Sequence, residues 1–256
     1  MKGNSLSRRI CSFALFLYAL CAWKSDGSEW QDQYLSAQKA LEDRNAQAAL
    51  DFATQAVNFA FLEFSTNDMR HAQALSLLGA VQSLLKDTAA AKDSIAVSLK
   101  IRDQLGSTND MDYARDLHQM MQLCQISKAC AEAVMYGQNL VALLNRVDES
   151  NCLILAYAHY DLYKAHMGLL DLTKALSALE EAYTMATNCS DIDKTTLSLI
   201  QTDLGLANAM KNKKDNGLCL YEKGLNLQEQ LWGKNDPRVQ SGRGILEKLQ
   251  KAERGD

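Results

Sequence analysis

The side chains best suited to chemistry are four histidines, His71, His118, His159 and His166, and the cysteines that follow residue 27: Cys124, Cys130, Cys152, Cys189 and Cys219. His159 and His166 stand two helical turns apart with Asp161 nearby, but a metal site needs closer spacing or a third converging ligand. No cysteine has a zinc-type spacing to a histidine. There is no glycine-rich phosphate loop, and no serine or cysteine sits in a nucleophile motif. The sequence therefore predicts no catalytic residue, no metal, no cofactor and no enzyme activity, with the histidines read as packing or surface residues. The cysteines carry a different chemistry: outside the cytoplasm, thiols pair into disulfides. Five buried thiols acting as small apolar residues are the alternative. Asn188-Cys189-Ser190 is an N-glycosylation sequon with a cysteine at its centre, which makes Asn188 a possible modification site in a eukaryotic host.

The compartment is indicated by the first 27 residues, read as a signal peptide. Lys2, Arg8 and Arg9 are followed by an apolar run of 14 residues, Ile10 to Trp23, and then by Ser25-Asp26-Gly27-Ser28. A positive start, an apolar middle and a small-residue exit form a secretory signal. The run falls short of the roughly 20 residues of a membrane span, and no later run is longer. A secreted or otherwise extracytoplasmic protein, with no membrane span after signal removal, is expected. The net charge of -4 comes without a basic block, so no nucleic-acid partner is expected.

The elements that position these residues follow from an internal repeat. Ser65-Thr66-Asn67-Asp68-Met69 recurs 42 residues later as Ser107-Thr108-Asn109-Asp110-Met111. Small residues keep the same register at Ala49, Ala91, Ala133, Ala175 and Gly217, and the column Ala37, Gly79, Met121, Tyr163 and Gly205 runs beside them. One proline and 13 glycines are too few for a turn-rich sandwich or barrel. Each unit reads as two helices. Leu75, Leu78, Val81 and Leu85 form one stripe at helical spacing; Ala91, Ile95, Leu99 and Ile101 form the next. Asn45, Asp87 and Asp171 share a cap column before the second helix, with Ser127 and Asp215 as the caps where Ala129 and Lys213 break it. First helices begin near Asp68, Asp110 and Asp236, the last strengthened by Pro237. The expected fold is all-α, a right-handed α-solenoid of about five helix-turn-helix units (29–67, 68–109, 110–151, 152–193 and 194–235) and a capping helix over 236–252, with 28–256 as one repeat domain. Met121 and Tyr163 stand where a small residue is expected beside the leucine, and Gly137 stands where a large one is expected, which predicts looser packing in the third unit.

The unit geometry gives disulfide expectations. Cys152 begins a first helix and Cys189 follows the end of its partner, so the two meet at one end of an antiparallel hairpin. A Cys152–Cys189 bond is expected. Cys124 and Cys130 flank a turn and are the second candidate pair, Cys124–Cys130, leaving Cys219 free and mostly buried.

Leu78-Gly79, Leu204-Gly205, the small columns and the loop Gly233-Lys234-Asn235-Asp236-Pro237 make residues 29 to 252 resemble a tetratricopeptide repeat protein, in the 42-residue form of kinesin light chains. The resemblance implies a concave groove lined by first helices that holds extended peptides. Carried over, that groove takes Gln31, Tyr34 and Gln38; Gln73 and Ser76; Arg115, His118 and Gln122; Tyr157, Tyr160 and Lys164; and Leu199, Thr202 and Leu206. Tyrosines beside cations suit an acidic and apolar peptide. The function expected is a binding scaffold for a protein or peptide. The alternative is a structural or matrix protein that self-associates through its end repeats.

Overall fold

The computed structural model describes residues 28–147, 152–211 and 214–254. The signal-peptide reading of residues 1–27 lies outside them. Eleven helices are present among the described residues: α1 (Glu29–Glu42), α2 (Ala46–Glu63), α3 (Met69–Leu84), α4 (Thr88–Gln104), α5 (Met111–Ile126), α6 (Cys130–Val147), α7 (Cys152–Gly168), α8 (Leu172–Asn188), α9 (Lys194–Met210), α10 (Lys214–Trp232) and α11 (Pro237–Arg254). They start where short polar side chains can satisfy the free N–H groups of a first turn. Asp68, Asp110 and Asp193 accept from the amides of Arg70, Tyr113 and Thr196 at the first helices, and Asn45, Asp87 and Asp171 do the same at second helices. Ser127 departs from expectation. Its hydroxyl donates back to the carbonyls of Leu123 and Cys124, so it closes α5 instead of capping α6. The Asp215 side chain lies outside the described set.

The first helices end in a repeated turn. After α1, α3, α5 and α7 the chain passes through Arg44, Lys86, Lys128 and Leu170, each in the left-handed region with φ between 57° and 65°. In each turn that residue's N–H donates to the carbonyl three residues back, and the next N–H donates to the carbonyl five residues back, as Lys86 to Ser83 and Asp87 to Gln82 do. This is the Schellman closure, whose left-handed position favours glycine. A side chain there costs roughly 1–2 kcal/mol. Two second helices close on glycine instead, at Gly106 and Gly233.

Alternating helices stack as a right-handed α-solenoid. The first helices of successive units touch, α1 on α3, α3 on α5 and α5 on α7, which puts them on the inner face. The second, third and fifth hairpins close where one helix gives up volume. A Cβ on Gly79 would meet Ile95 at 2.5 Å, and one on Gly205 would meet the Tyr221 Cα at 2.7 Å. The third unit does not pack loosely. Met121 and Leu140, both fully buried, belong to the largest apolar cluster described, and Met121 fills the space left by Gly137.

Candidate functional site

The inner wall is built from residues at matching positions of successive first helices, and two of its ties repeat. His118 Nε2 donates to Asp161 Oδ2 at 3.0 Å, and Tyr160 Oη donates to Asp203 Oδ2 at 3.0 Å, each 43 residues ahead. Lys164 Nζ reaches Asp161 Oδ1 at 3.0 Å and lies 4.1 Å above the Tyr160 ring. Gln122 joins the same carboxylate at 3.4 Å. Burial opposes ionisation of Asp161, but the His118 hydrogen bond and the Lys164 charge hold its carboxyl below the usual value. Asp203 is the reverse. Burial pushes its carboxyl up, and its bond from Tyr160 and the more distant Lys164 do not compensate. Burial and the Asp203 charge likewise push the Tyr160 hydroxyl up. His118, Gln122, Tyr160 and Lys164 thus come together in ties that largely brace one unit on the next. Tyr160 is buried, and fills a gap between helices. Tyr157 is half-buried and donates to Asp193 at 2.6 Å.

Free polar edges gather at the other end of the wall. Tyr34, Gln38, Gln73, Ser76 and Arg115 line a hollow of about 340 Å³, together with Arg102, Asp112 and Gln119. Gln73 makes only a long 3.5 Å contact to Asp112, whose carboxylate is held at 2.8 Å by Arg115. The Gln119 Oε1 is buried without a hydrogen bond. Arg102 forms the floor. It is 1% exposed, donates through Nε to the fully buried Asp116 at 3.1 Å, and has Asp110 and Asp112 at 3.6 and 3.7 Å. Asp116 also accepts from Ser98 at 2.7 Å. Arg102 and Asp116 were missed because only first-helix inner positions were carried over. The signal was an arginine continuing the buried stripe of Ile95 and Leu99 at helical spacing.

Two more hollows lie further along the solenoid. One of about 140 Å³ lies between Arg115, His118, Ile154 and Tyr157. A larger one, about 420 Å³, opens where α7, α8 and α9 meet, with walls of Met167, Leu172, Leu176, Leu206 and Met210 and a polar side of Tyr163 and Asp203. Burial and the Asp203 charge push the Tyr163 hydroxyl up to about 12.

The cysteines separate clearly. Cys152 and Cys189 are bonded at the shared end of α7 and α8, Cα atoms 5.6 Å apart. Cys124 and Cys130 are not paired. Cys124, on α5, is buried and directs its thiol to Glu132 at 3.4 Å, while Cys130, the first residue of α6, packs against Gly168, so the two sulfurs meet different neighbours. Cys219 is free but exposed, because its side of α10 faces away from the core. Asn188 is exposed at the end of α8. His71 and His166 are buried, and no three His, Cys, Asp or Glu side chains converge on a metal position among the described residues.

No family model matches the chain. No curated protein matches it either. Solved structures do. The kinesin light chain of Podosopora anserina with nearly identical TPR-like repeats has a TM-score of 0.65 at 13% identity, over 81% of this chain and 99% of that one. BtubC (BKLC) from P. vanneervenii gives 0.70 at 15% identity, over 90% and 94%. A Rap protein complexed with Competence and Sporulation Factor gives 0.60 at 14% identity, over 93% and 69%. At these identities the likeness establishes a tetratricopeptide-like solenoid fold.

Proposed function

We propose that this chain is an extracytoplasmic scaffold that binds an extended peptide or protein segment along its first-helix wall, without catalysing a reaction on it. The observation that carries this reading is the 340 Å³ hollow, lined by Tyr34 and Gln38 and backed by Gln119, whose buried Oε1 is left without a hydrogen bond. Glutamine amides offer a donor and an acceptor at once, the combination that an extended backbone presents in return. Arg115 on the rim adds a charge for an acidic side chain. The buried Arg102–Asp116 pair keeps the floor rigid, so little ordering is required on binding. The Rap likeness supports the reading, since that protein is complexed with Competence and Sporulation Factor. The Cys152–Cys189 bond supports an oxidising compartment.

The test is selection of displayed peptides against residues 28–256, followed by affinity measurement on variants. Gln73→Ala with Arg115→Glu should abolish binding of the selected sequences. Glu180→Ala, on an outward second-helix position, should leave it unchanged. Equal affinity for all three proteins sinks the groove. Cell fractionation with non-reducing peptide mapping checks the compartment: a reduced Cys152 in a cytoplasmic fraction would refute it.

A further inference from the structure

The turns between first and second helices form a second surface, at one edge of the solenoid and apart from the inner wall. Six large apolar side chains are more than 60% exposed among the described residues, and five of them stand here: Leu84, Ile126, Leu170, Leu172 and Met210. Leu84, Ile126 and Met210 are each the last residue of a first helix, so the fold itself places Ile126 one unit after Leu84 and Met210 two units after Ile126, with Leu170 and Leu172 in the turn between. Lys86 and Lys128 project from the same turns, and Lys211 follows Met210. All three are exposed, and none has an acidic partner among the described residues. The aspartates of these turns are already engaged, Asp87 by the Ala90 amide and Asp171 by that of Lys174. Lys86, Lys128 and Leu170 also occupy the left-handed position that glycine would fill without strain. At the end of this edge the 420 Å³ hollow is open between Leu172 and Met210.

We propose that this edge docks an acidic amphipathic helix of a partner protein, with one of its apolar side chains entering the hollow. Charge complementarity selects the partner: the edge offers unpaired cations between apolar side chains, and an acidic helix with an apolar stripe is their complement. Spacing agrees. Stacked helices lie about 10 Å apart, close to the rise of seven helical residues at 1.5 Å each. A helix with apolar residues at heptad intervals therefore meets successive turns in register.

The test uses a synthetic helical peptide of about 20 residues, long enough to cover about 30 Å, with a heptad leucine stripe and glutamate elsewhere. A second peptide replaces glutamate by lysine. Fluorescence anisotropy with residues 28–256 should show saturable binding of the glutamate peptide. The lysine peptide should bind at least about tenfold more weakly, as rejection by like charge requires. The triple variant Lys86→Gly, Lys128→Gly and Leu170→Gly should lose affinity by at least about tenfold while its Tm stays level or rises, because glycine relaxes the turns. Met210→Glu should weaken binding without touching those turns, and Arg115→Glu, on the inner wall, should not. Equal binding of the two peptides, or full binding by the triple variant and by Met210→Glu, overturns the proposal. Saturable binding to anionic phospholipid vesicles that is lost in the triple variant overturns it in favour of a membrane surface, and a mass that rises with concentration and falls in the triple variant overturns it in favour of a second copy of the chain.

Discussion

The methyl end of Met121 lies where a side chain on Gly137 would have to go: a Cβ there would come within 2.7 Å of Met121 Cε. The pair is one of a series. At matching positions of successive hairpins Gly79 faces Ile95, Met121 faces Gly137, and Gly205 faces Tyr221. The small partner changes sides, but the summed volume is kept, which is what a core packed to crystal density tolerates. In the fourth hairpin the equivalent residues, Tyr163 and Leu179, are both large, and both line the 420 Å³ hollow.

The series separates two glycines that propensity treats alike. Both Gly137 and Gly205 sit inside helices, where alanine is favoured by about 1 kcal/mol. The Cβ of Gly137→Ala meets only the flexible ends of Met121 and Leu162, so the change should be near neutral. The Cβ of Gly205→Ala meets backbone, with the Tyr221 Cα at 2.7 Å and the Gly217 carbonyl oxygen at 2.8 Å. The helices must separate, and about 1–3 kcal/mol should be lost. Urea denaturation of the two variants gives the comparison; equal stabilities would contradict the close approach of α9 and α10.

The fold was legible because it is written repeatedly: the 42-residue columns, the aspartate caps and Pro237 all act locally, and each unit restates them. What escaped was correlation between columns. A glycine at 137 looks like a defect within its own column, and the compensating Met121 stands 16 positions earlier in another. The inner first-helix wall was legible as a surface but not in its contacts. Whether Tyr160 faces a ligand or a neighbour depends on Asp203 in the next unit, and a single column does not reveal a tie that crosses units. The left-handed Lys86 and Lys128 were invisible because the sequence shows lysine, not glycine, at the turn.

Arg102 and Asp116 predict a large and localised effect. Removing one partner of a buried ion pair leaves an uncompensated charge and costs roughly 3–5 kcal/mol. Asp116→Ala should fall near the lower end, since Asp110 and Asp112 remain within 3.7 Å of the guanidinium. Asp112→Ala, at a carboxylate one-third exposed, should cost about 1 kcal/mol or less. Chemical denaturation distinguishes them, and equal losses would show that Asp116 does not anchor Arg102.

The Cys152–Cys189 bond closes a separation of 37 residues across α7 and α8. Restricting the unfolded chain over such a loop stabilises by roughly 2–4 kcal/mol. Cys152→Ser should lower stability by that amount under oxidising conditions and by nothing in excess reductant, where the unmodified chain loses the bond too. Cys219→Ser, at an exposed free thiol, should leave stability unchanged in both. A Cys152→Ser variant as stable as the parent without reductant would show that the bond contributes nothing to the fourth unit.

Asp161 and Asp203 occupy the same position in successive units and should respond to pH with opposite signs. Asp161 is held below its ordinary value of 3.8 by the His118 hydrogen bond and the Lys164 charge, which outweigh burial. Its contribution is present above that value and is lost as pH falls through its lower folded-state pKa. Asp203 is raised above 3.8 by burial, although Tyr160 donates to it. Its contribution is greatest below 3.8 and declines as pH rises through its higher folded-state pKa. Asparagine removes the titration in each case while keeping an acceptor for the hydrogen bond. Asp161→Asn should therefore be more destabilising at neutral pH than at a pH below the ordinary carboxylate range. Asp203→Asn should be more favourable, relative to the parent, at neutral pH than in acid. Urea denaturation of the three proteins at both pH values reads the signs directly. Differences of the same sign for the two variants would mean that the His118 hydrogen bond and the Lys164 charge do not set Asp161 apart from Asp203.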